Sequence, residues 1–154
     1  MTQPSVEAGA GTTIRRAHSS DASRLAALSG ELGYPAGVQE ITDRLARLSD
    51  RDTDVIFVAT TAADEVLGWL HGAEQELLES GRRCEILGLV VGEGARGQGV
   101  GRRLVEAVEA WARGRGLGRM TVRSNVARSD SHPFYERLGY ARSKTQHAYG
   151  KALG

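Results

Sequence analysis

Covalent bracing is almost absent from this chain: Cys84 is its one cysteine, so no internal disulfide can form. A lone thiol in a strand pattern reads as a small buried hydrophobe and suits a reducing compartment, so a cytoplasmic protein is expected. Charge of one sign is missing too. The net charge of +1 leaves no global field for nucleic acid or an anionic membrane, and neither is expected as a partner. No apolar run approaches the roughly 20 residues needed to cross a bilayer. The opening MTQPSVEAGAGTT has neither a basic region nor an apolar run, so no signal peptide is expected. Internal repeats, low-complexity tracts, a Ser-His-Asp grouping and a second metal ligand near His132 are all missing, so no metal is expected.

What is present is the composition of a globular domain, 40% apolar and 25% charged over 154 residues. Residues 1–11 are small and polar and read as a disordered tail, leaving residues 12–154 as a single domain. A short strand is expected over Thr12–Ala17. Ser20-Asp21 then signals a helix start, and Leu25, Leu28 and Leu32 share one face of Ala22–Leu32. A second helix, Val38–Leu48, places Val38, Ile41, Leu45 and Leu48 together. Val55–Thr60, Glu65–Ala73 and Arg83–Val91 read as three strands, with residues 74–82 as a loose hairpin tip. A long helix to Arg115, a strand Arg119–Ser124, a short helix begun by Asp130 and a last strand Tyr140–Ala152 complete the chain. Hairpin-joined strands followed by helical crossovers predict a mixed α/β (α+β) sheet with helices on both faces. The order is β-α-α-β-β-β-α-β-α-β.

The centre of this plan is ILGLVVGEGARGQGVGRRLVEAVEAW, residues 86–111. An apolar strand, Ile86–Val91, leads into an amphipathic helix carrying Val100, Leu104, Val108 and Trp111 on one side. Between them lie Gly92, Gly94, Gly97, Gly99 and Gly101, with Arg96, Gln98, Arg102 and Arg103 among them. Glycine costs about 1 kcal/mol against alanine inside a helix, and the last two are expected in its first turn. Such a loss makes sense where a ligand must lie against bare backbone. The first amides of a helix lack internal partners, so this stretch reads as a phosphate cradle.

Gly92-Glu93-Gly94-Ala95-Arg96-Gly97 formally matches the dinucleotide pattern G-x-G-x-x-G. Against that reading, some 85 residues with their own strands precede it, the following strand ends in Arg-Ser-Asn without the expected acid, and the glycines run on into the helix. A P-loop is excluded because no Gly-Lys-Ser/Thr follows. Arg96-Gly97-Gln98-Gly99-Val100-Gly101 instead resembles the Gln/Arg-x-x-Gly-x-Gly/Ala signature of the GNAT N-acetyltransferase superfamily. A second stretch, Ser131-His132-Pro133-Phe134-Tyr135-Glu136-Arg137-Leu138-Gly139-Tyr140, is similar to that family's C-terminal Phe-Tyr-x-x-x-Gly-Phe/Tyr motif. The spacing from Asn125 to Phe134 is wider than in many members. The element order matches the GNAT topology from about residue 12.

The resemblance implies acetyl-CoA as co-substrate. Its pyrophosphate would be held by Arg96, Gly97, Gln98, Gly99, Val100, Gly101 and Arg102, its pantetheine arm by Leu89, Val90 and Val91, with Asn125 alongside. Acetyl transfer to an amine needs the neutral amine. For an alkylamine of pKa near 10.4, neutrality at pH 7 costs about 4–5 kcal/mol. Glu85 resembles the glutamate that many members use as base on this strand, and an exposed edge carboxylate near Arg82 or Arg83 is its structural alternative. The thioester oxygen would be stabilised by backbone N–H groups of Leu89 to Val91. Tyr135 matches the family's usual proton donor to the departing thiolate, where an amphipathic core tyrosine is the plain alternative.

In the family, the first two helices, their connection and the central and late strands wall the acceptor site. Here Glu31, Tyr34 and Glu74 stand in those positions, with Glu76 and His147. The expected activity is an N-acetyltransferase using a small-molecule primary amine in a ternary complex, and a homodimer is possible. A non-catalytic acetyl-CoA-binding regulatory module, a protein N-acetyltransferase and a dinucleotide-binding domain are the competing readings.

Overall fold

The computed structural model describes residues 11–31, 33–123 and 131–154. The chain divides into two compact units, Met1–Val122 and Arg123–Gly154. The expected tail lies almost wholly outside the described residues.

The first unit is built on a five-stranded sheet in the order β1 (Thr13–Arg16), β2 (Asp54–Thr60), β3 (Val66–Leu77), β4 (Gly81–Val91), β5 (Met120–Val122). All neighbours are antiparallel except β4 and β5. Helices α1 (Ala22–Glu31) and α2 (Val38–Ser49) follow β1, and α3 (Val100–Gly114) connects β4 to β5. The mixed, mostly antiparallel sheet expected from the sequence is therefore formed.

Side chains alternate across a sheet, and opposed residues share a face. Ile56, Val58, Trp69 and Val90 lie on one face and pack with Leu25, Leu28, Ile41 and Leu45 of α1 and α2. Val55, Leu70 and Gly72 lie on the other, where Leu104 and Val108 of α3 are fully buried. Each such buried aliphatic side chain contributes about 1.5–3 kcal/mol. The helix sits close because β3 has a glycine beneath it: a Cβ on Gly72 would fall 2.6 Å from Val108 Cγ2.

Three expectations need correction. The hairpin tip is shorter than residues 74–82, since β3 and β4 stay paired through Gln75↔Arg83, Glu76↔Arg82 and Leu77↔Gly81. Cross-strand opposite charges stabilise those pairs, which a scan for apolar alternation misses. Gly99 is not in the helix; it is the residue before it, at φ 81°. In the second unit, α4 (Ser131–Arg137) forms as expected and ends at Gly139 with φ 92°, but the strand Tyr140–Ala152 is not formed. Residues 142–147 (RSKTQH) offer no alternating apolar face to bury, and residues 141–154 are exposed. The position proposed to start α4, Asp130, lies outside the described residues.

Candidate active site

The cofactor-side geometry follows from strand β4 losing its partner. Among the described residues β4 pairs with β5 only through Cys84, Ile86 and the Glu85 between them. Beyond Ile86 a bulge inserts Leu87, because His71 faces Gly88 while Gly72 faces Ile86. From there to Val91 one edge of β4 has no strand beside it among the described residues. Amides in an antiparallel ladder point alternately to either side. Gly92 N–H donates to the Leu67 carbonyl at 2.9 Å. Val90 therefore spends its amide on β3, while Leu89 and Val91 direct theirs to the open edge. Two of the three expected donors are thus available there.

The chain next makes a short 3-10 turn, Glu93–Ala95, and enters α3 through Gly97 and Gly99, both in the left-handed region at φ 78° and 81°. Only glycine adopts that conformation freely, which explains this glycine pattern better than helix placement does. The first intrahelical bond is Arg103 N–H to Gly99 C=O, at 3.1 Å. The amides of Val100, Gly101 and Arg102 consequently have no acceptor within the helix, and Gly99 has no side chain to cap them. A Cβ at Gly97 would meet nothing within 4 Å, so the outer side of the turn is open.

The flanking side chains are held back from these amides. Arg96 Nε donates to the Val91 carbonyl at 3.1 Å, and Gln98 Nε2 to the Gly94 carbonyl at 3.1 Å. Arg102 pairs with Glu106, and Arg103 reaches the Thr12 carbonyl. Gln98 Oε1 is buried without a partner among the described residues. The result is a positively polarised helix terminus of bare N–H groups bordered by guanidinium groups, suited to a phosphate.

On the α1–α2 face the sheet carries a polar row. Asp54, Ala73, Glu85 and Thr121 are successive partners across β2, β3, β4 and β5. Glu85 is 6% exposed, and its Oε1 accepts from Arg83 Nη2 at 3.1 Å and Thr121 Oγ1 at 3.0 Å. Next to it, His71 Nε2 lies 2.7 Å from Asp54 Oδ2. Two buried polar atoms on this face, Trp69 Nε1 and Arg83 Nε, have no partner among the described residues. The Asp54–His71 pair was not singled out from the sequence, although the alternation Trp69, His71, Ala73 marks one face of the strand.

The other expected residues scatter. Glu31 Oε1 accepts from the Glu93 amide at 3.1 Å and so ties α1 to the glycine turn. Tyr34 is 69% exposed in the α1–α2 connection. Glu74 points to the opposite, α3 face, where Arg82 and Arg115 hold it at 2.8 and 2.9 Å and keep its carboxyl below the usual range. Cys84 is fully buried, and burial pushes its thiol up to about 11, which leaves it inert. Tyr135 belongs to the second unit, packed edge-on against Phe134 and Tyr140 at 5.0 and 5.9 Å. Asn125 lies outside the described residues. Among the described residues no group of three acidic, His or Cys side chains could hold a metal, and no helix is long and apolar enough to cross a membrane.

Residues 24–140 match the model of the Acetyltransferase (GNAT) family. None of the curated proteins matches the chain in sequence. Similar solved structures include a transcriptional regulator from Bacillus halodurans C-125, 24% identical, covering 91% of this chain and 99% of its own, at a TM-score of 0.82. The aminoglycoside antibiotic 6'-N-acetyltransferase AAC(6')-Ih from Acinetobacter baumannii is 20% identical, with 94% and 100% covered and a TM-score of 0.81. The aminoglycoside N-acetyltransferase AAC(6')-Iy, solved with CoA, is 18% identical, with 92% and 95% covered and a TM-score of 0.82.

Proposed function

The chain belongs to the Acetyltransferase (GNAT) family of N-acetyltransferases, and from that premise we propose that it moves the acetyl group of acetyl-CoA to a primary amine of a small molecule. The observation that carries the reading is the uncapped start of α3, with the amides of Val100, Gly101 and Arg102 bare behind a left-handed Gly99. A diphosphate fits such a terminus, and the adjoining β4 edge gives the pantetheine arm amides to bond. The aminoglycoside acetyltransferases among the similar structures support a small, cationic acceptor.

Both substrates are held together, so transfer is direct. Glu85 draws the ammonium to the α1–α2 face and takes its proton, directly or through a water. The amine lone pair attacks the thioester carbon, and Leu89 and Val91 amides bond the developing oxyanion. The C–S bond then breaks as the nitrogen sheds its second proton, and one proton ends on the CoA thiolate. The family resemblance gives the donor's role to Tyr135, whose phenol regains its proton from that nitrogen. Tyr135→Phe should lower turnover with unchanged acetyl-CoA affinity; full turnover, with chemistry rate-limiting, would remove it from the mechanism.

The test of the whole reading is release of free thiol from acetyl-CoA in the presence of varied amines, aminoglycosides and polyamines included. Acetyl-CoA binding without thiol release for any amine or peptide would favour a regulatory module instead. Gly99→Asp should abolish CoA binding, because it strains the αL position and sets a carboxylate against the diphosphate. Normal CoA affinity in a folded Gly99→Asp protein would contradict the cradle.

A further inference from the structure

We propose that His71, oriented by Asp54, is the residue through which the acceptor's proton leaves the active site. This rests on the reading of Glu85 as the group that first takes that proton. The need arises from the stoichiometry. An ammonium and acetyl-CoA give an amide, CoA-SH and one proton; the nitrogen gives up two protons, and only one ends on sulfur. The other must reach solvent in every turnover. Glu85 is buried and bonded to Arg83 and Thr121, so it is a poor place from which to release a proton straight to water.

His71 is placed for the task. It faces Gly88 on β4 as Ala73 faces Glu85, so His71 and Glu85 are diagonal neighbours on one sheet face. Such neighbours lie about 7–8 Å apart, a gap that two polar side chains and a water can close. Ala73 and Gly88 are the intervening partners, and the Trp69 ring lies over Gly88 and walls the gap on that side. The Asp54 carboxylate, 7% exposed and also bonded by Thr53 Oγ1, accepts from Nε2. With Nε2 as the donor, the neutral ring keeps its lone pair on Nδ1. Among the described residues the ring's hydrogen bond is made through Nε2, and the His71 side chain is 18% exposed. The step is balanced: the proton passes from Glu85 to His71 Nδ1, Asp54 stabilises the imidazolium, and the imidazolium gives the proton to bulk water.

An amine that is already neutral makes no net proton, which gives the decisive comparison. Propylamine is the ammonium probe and 2,2,2-trifluoroethylamine the neutral one, each with wild-type protein and His71→Gln. The variant should lose about 10–100-fold in kcat with propylamine, with the KM for acetyl-CoA unchanged, while its trifluoroethylamine rate stays near wild type. Added imidazole buffer should restore much of the lost rate. Equal loss with both amines, and no rescue, would reduce His71 to a structural residue and overturn the proposal. Independently, nitrogen NMR of the CoA-bound protein should find the His71 ring as the Nε2–H tautomer, and loss of that preference in Asp54→Asn. A ring protonated on Nδ1 in the wild type would also overturn it. Failure of the wild type to acetylate either amine would count against acetyl transfer to simple amines, whereas the ring measurement decides the state of His71 by itself.

Discussion

Glu74 and Glu85 stand across one hairpin from each other, both pinned by arginine, and they face opposite sides of the sheet. Glu74 pairs with Cys84 in the ladder and Glu85 with Ala73, so they are one step apart in register and on opposite faces of the sheet. On the α3 face, Arg82 and Arg115 close around Glu74, and Arg115 also stacks on Trp111 at 5.0 Å. That cluster ties the end of α3 to the hairpin. On the α1–α2 face, Glu85 is set among Arg83, Thr121 and the His71–Asp54 pair, beside the edge where β4 parts from β5. The lesson is that a carboxylate's role here is decided by strand parity before its partners are considered. One residue of slip would exchange the two.

The largest effect should come from the buried one. Glu85→Gln keeps the shape and the Thr121 contact but cannot take a proton. A drop of about 10²-fold or more in kcat is expected, with acetyl-CoA affinity intact. A Glu85→Gln enzyme with wild-type turnover of an ammonium substrate would erase the distinction between the two carboxylates.

Parity is also where the sequence stopped being readable. The glycine run, the amphipathic α3, the three hairpin strands and the two leucine-rich helices are local patterns, and all of them form. Gly97 and Gly99 could be singled out because the glycine turn and its strand are contiguous in the chain, and Glu85 because it resembles the family's glutamate on that strand. Glu74 resembled a site wall because it is near in sequence and acidic, but its direction depends on register across β3 and β4. His71 and Asp54 meet across 17 residues through a diagonal pairing that no local pattern specifies. The extension of β3 and β4 through Glu76↔Arg82 rests on charge pairing, and the unformed strand at 140–152 shows that propensity without an apolar face is not enough.

A third carboxylate sharpens the contrast, because it is held as tightly as Glu85 and has no place in the chemistry. Asp21, 7% exposed, takes two bonds from Arg15 at 2.8 and 3.0 Å and one from the His18 amide at 2.7 Å. The Arg15 bonds above all hold its carboxyl below the usual range. A carboxyl lowered in the fold stabilises it fully above the unfolded-state value of about 3.9, and that share fades as pH falls through the lower folded value. Asp21→Asn should therefore cost about 2 kcal/mol at neutral pH, and the gap to wild type should narrow in acid, with turnover unchanged. A gap independent of pH would mean that packing, not charge, is what Asp21 supplies.

Glu74→Gln should have the smallest consequence, and it separates the two faces most cleanly. Two guanidinium groups lower the Glu74 carboxyl, Arg82 first and Arg115 second, so its contribution too is present above the carboxylate range and lost below it. The site is near the surface, where solvent and salt screen ion pairs, so only a slight lowering of Tm at neutral pH is expected, shrinking in high salt. Turnover and both KM values should match the wild type. If instead Glu74→Gln raised the KM for the acceptor amine, acceptor binding would have to reach the α3 side of the sheet. Parity would then no longer separate the carboxylate that braces the fold from the one proposed to take the proton.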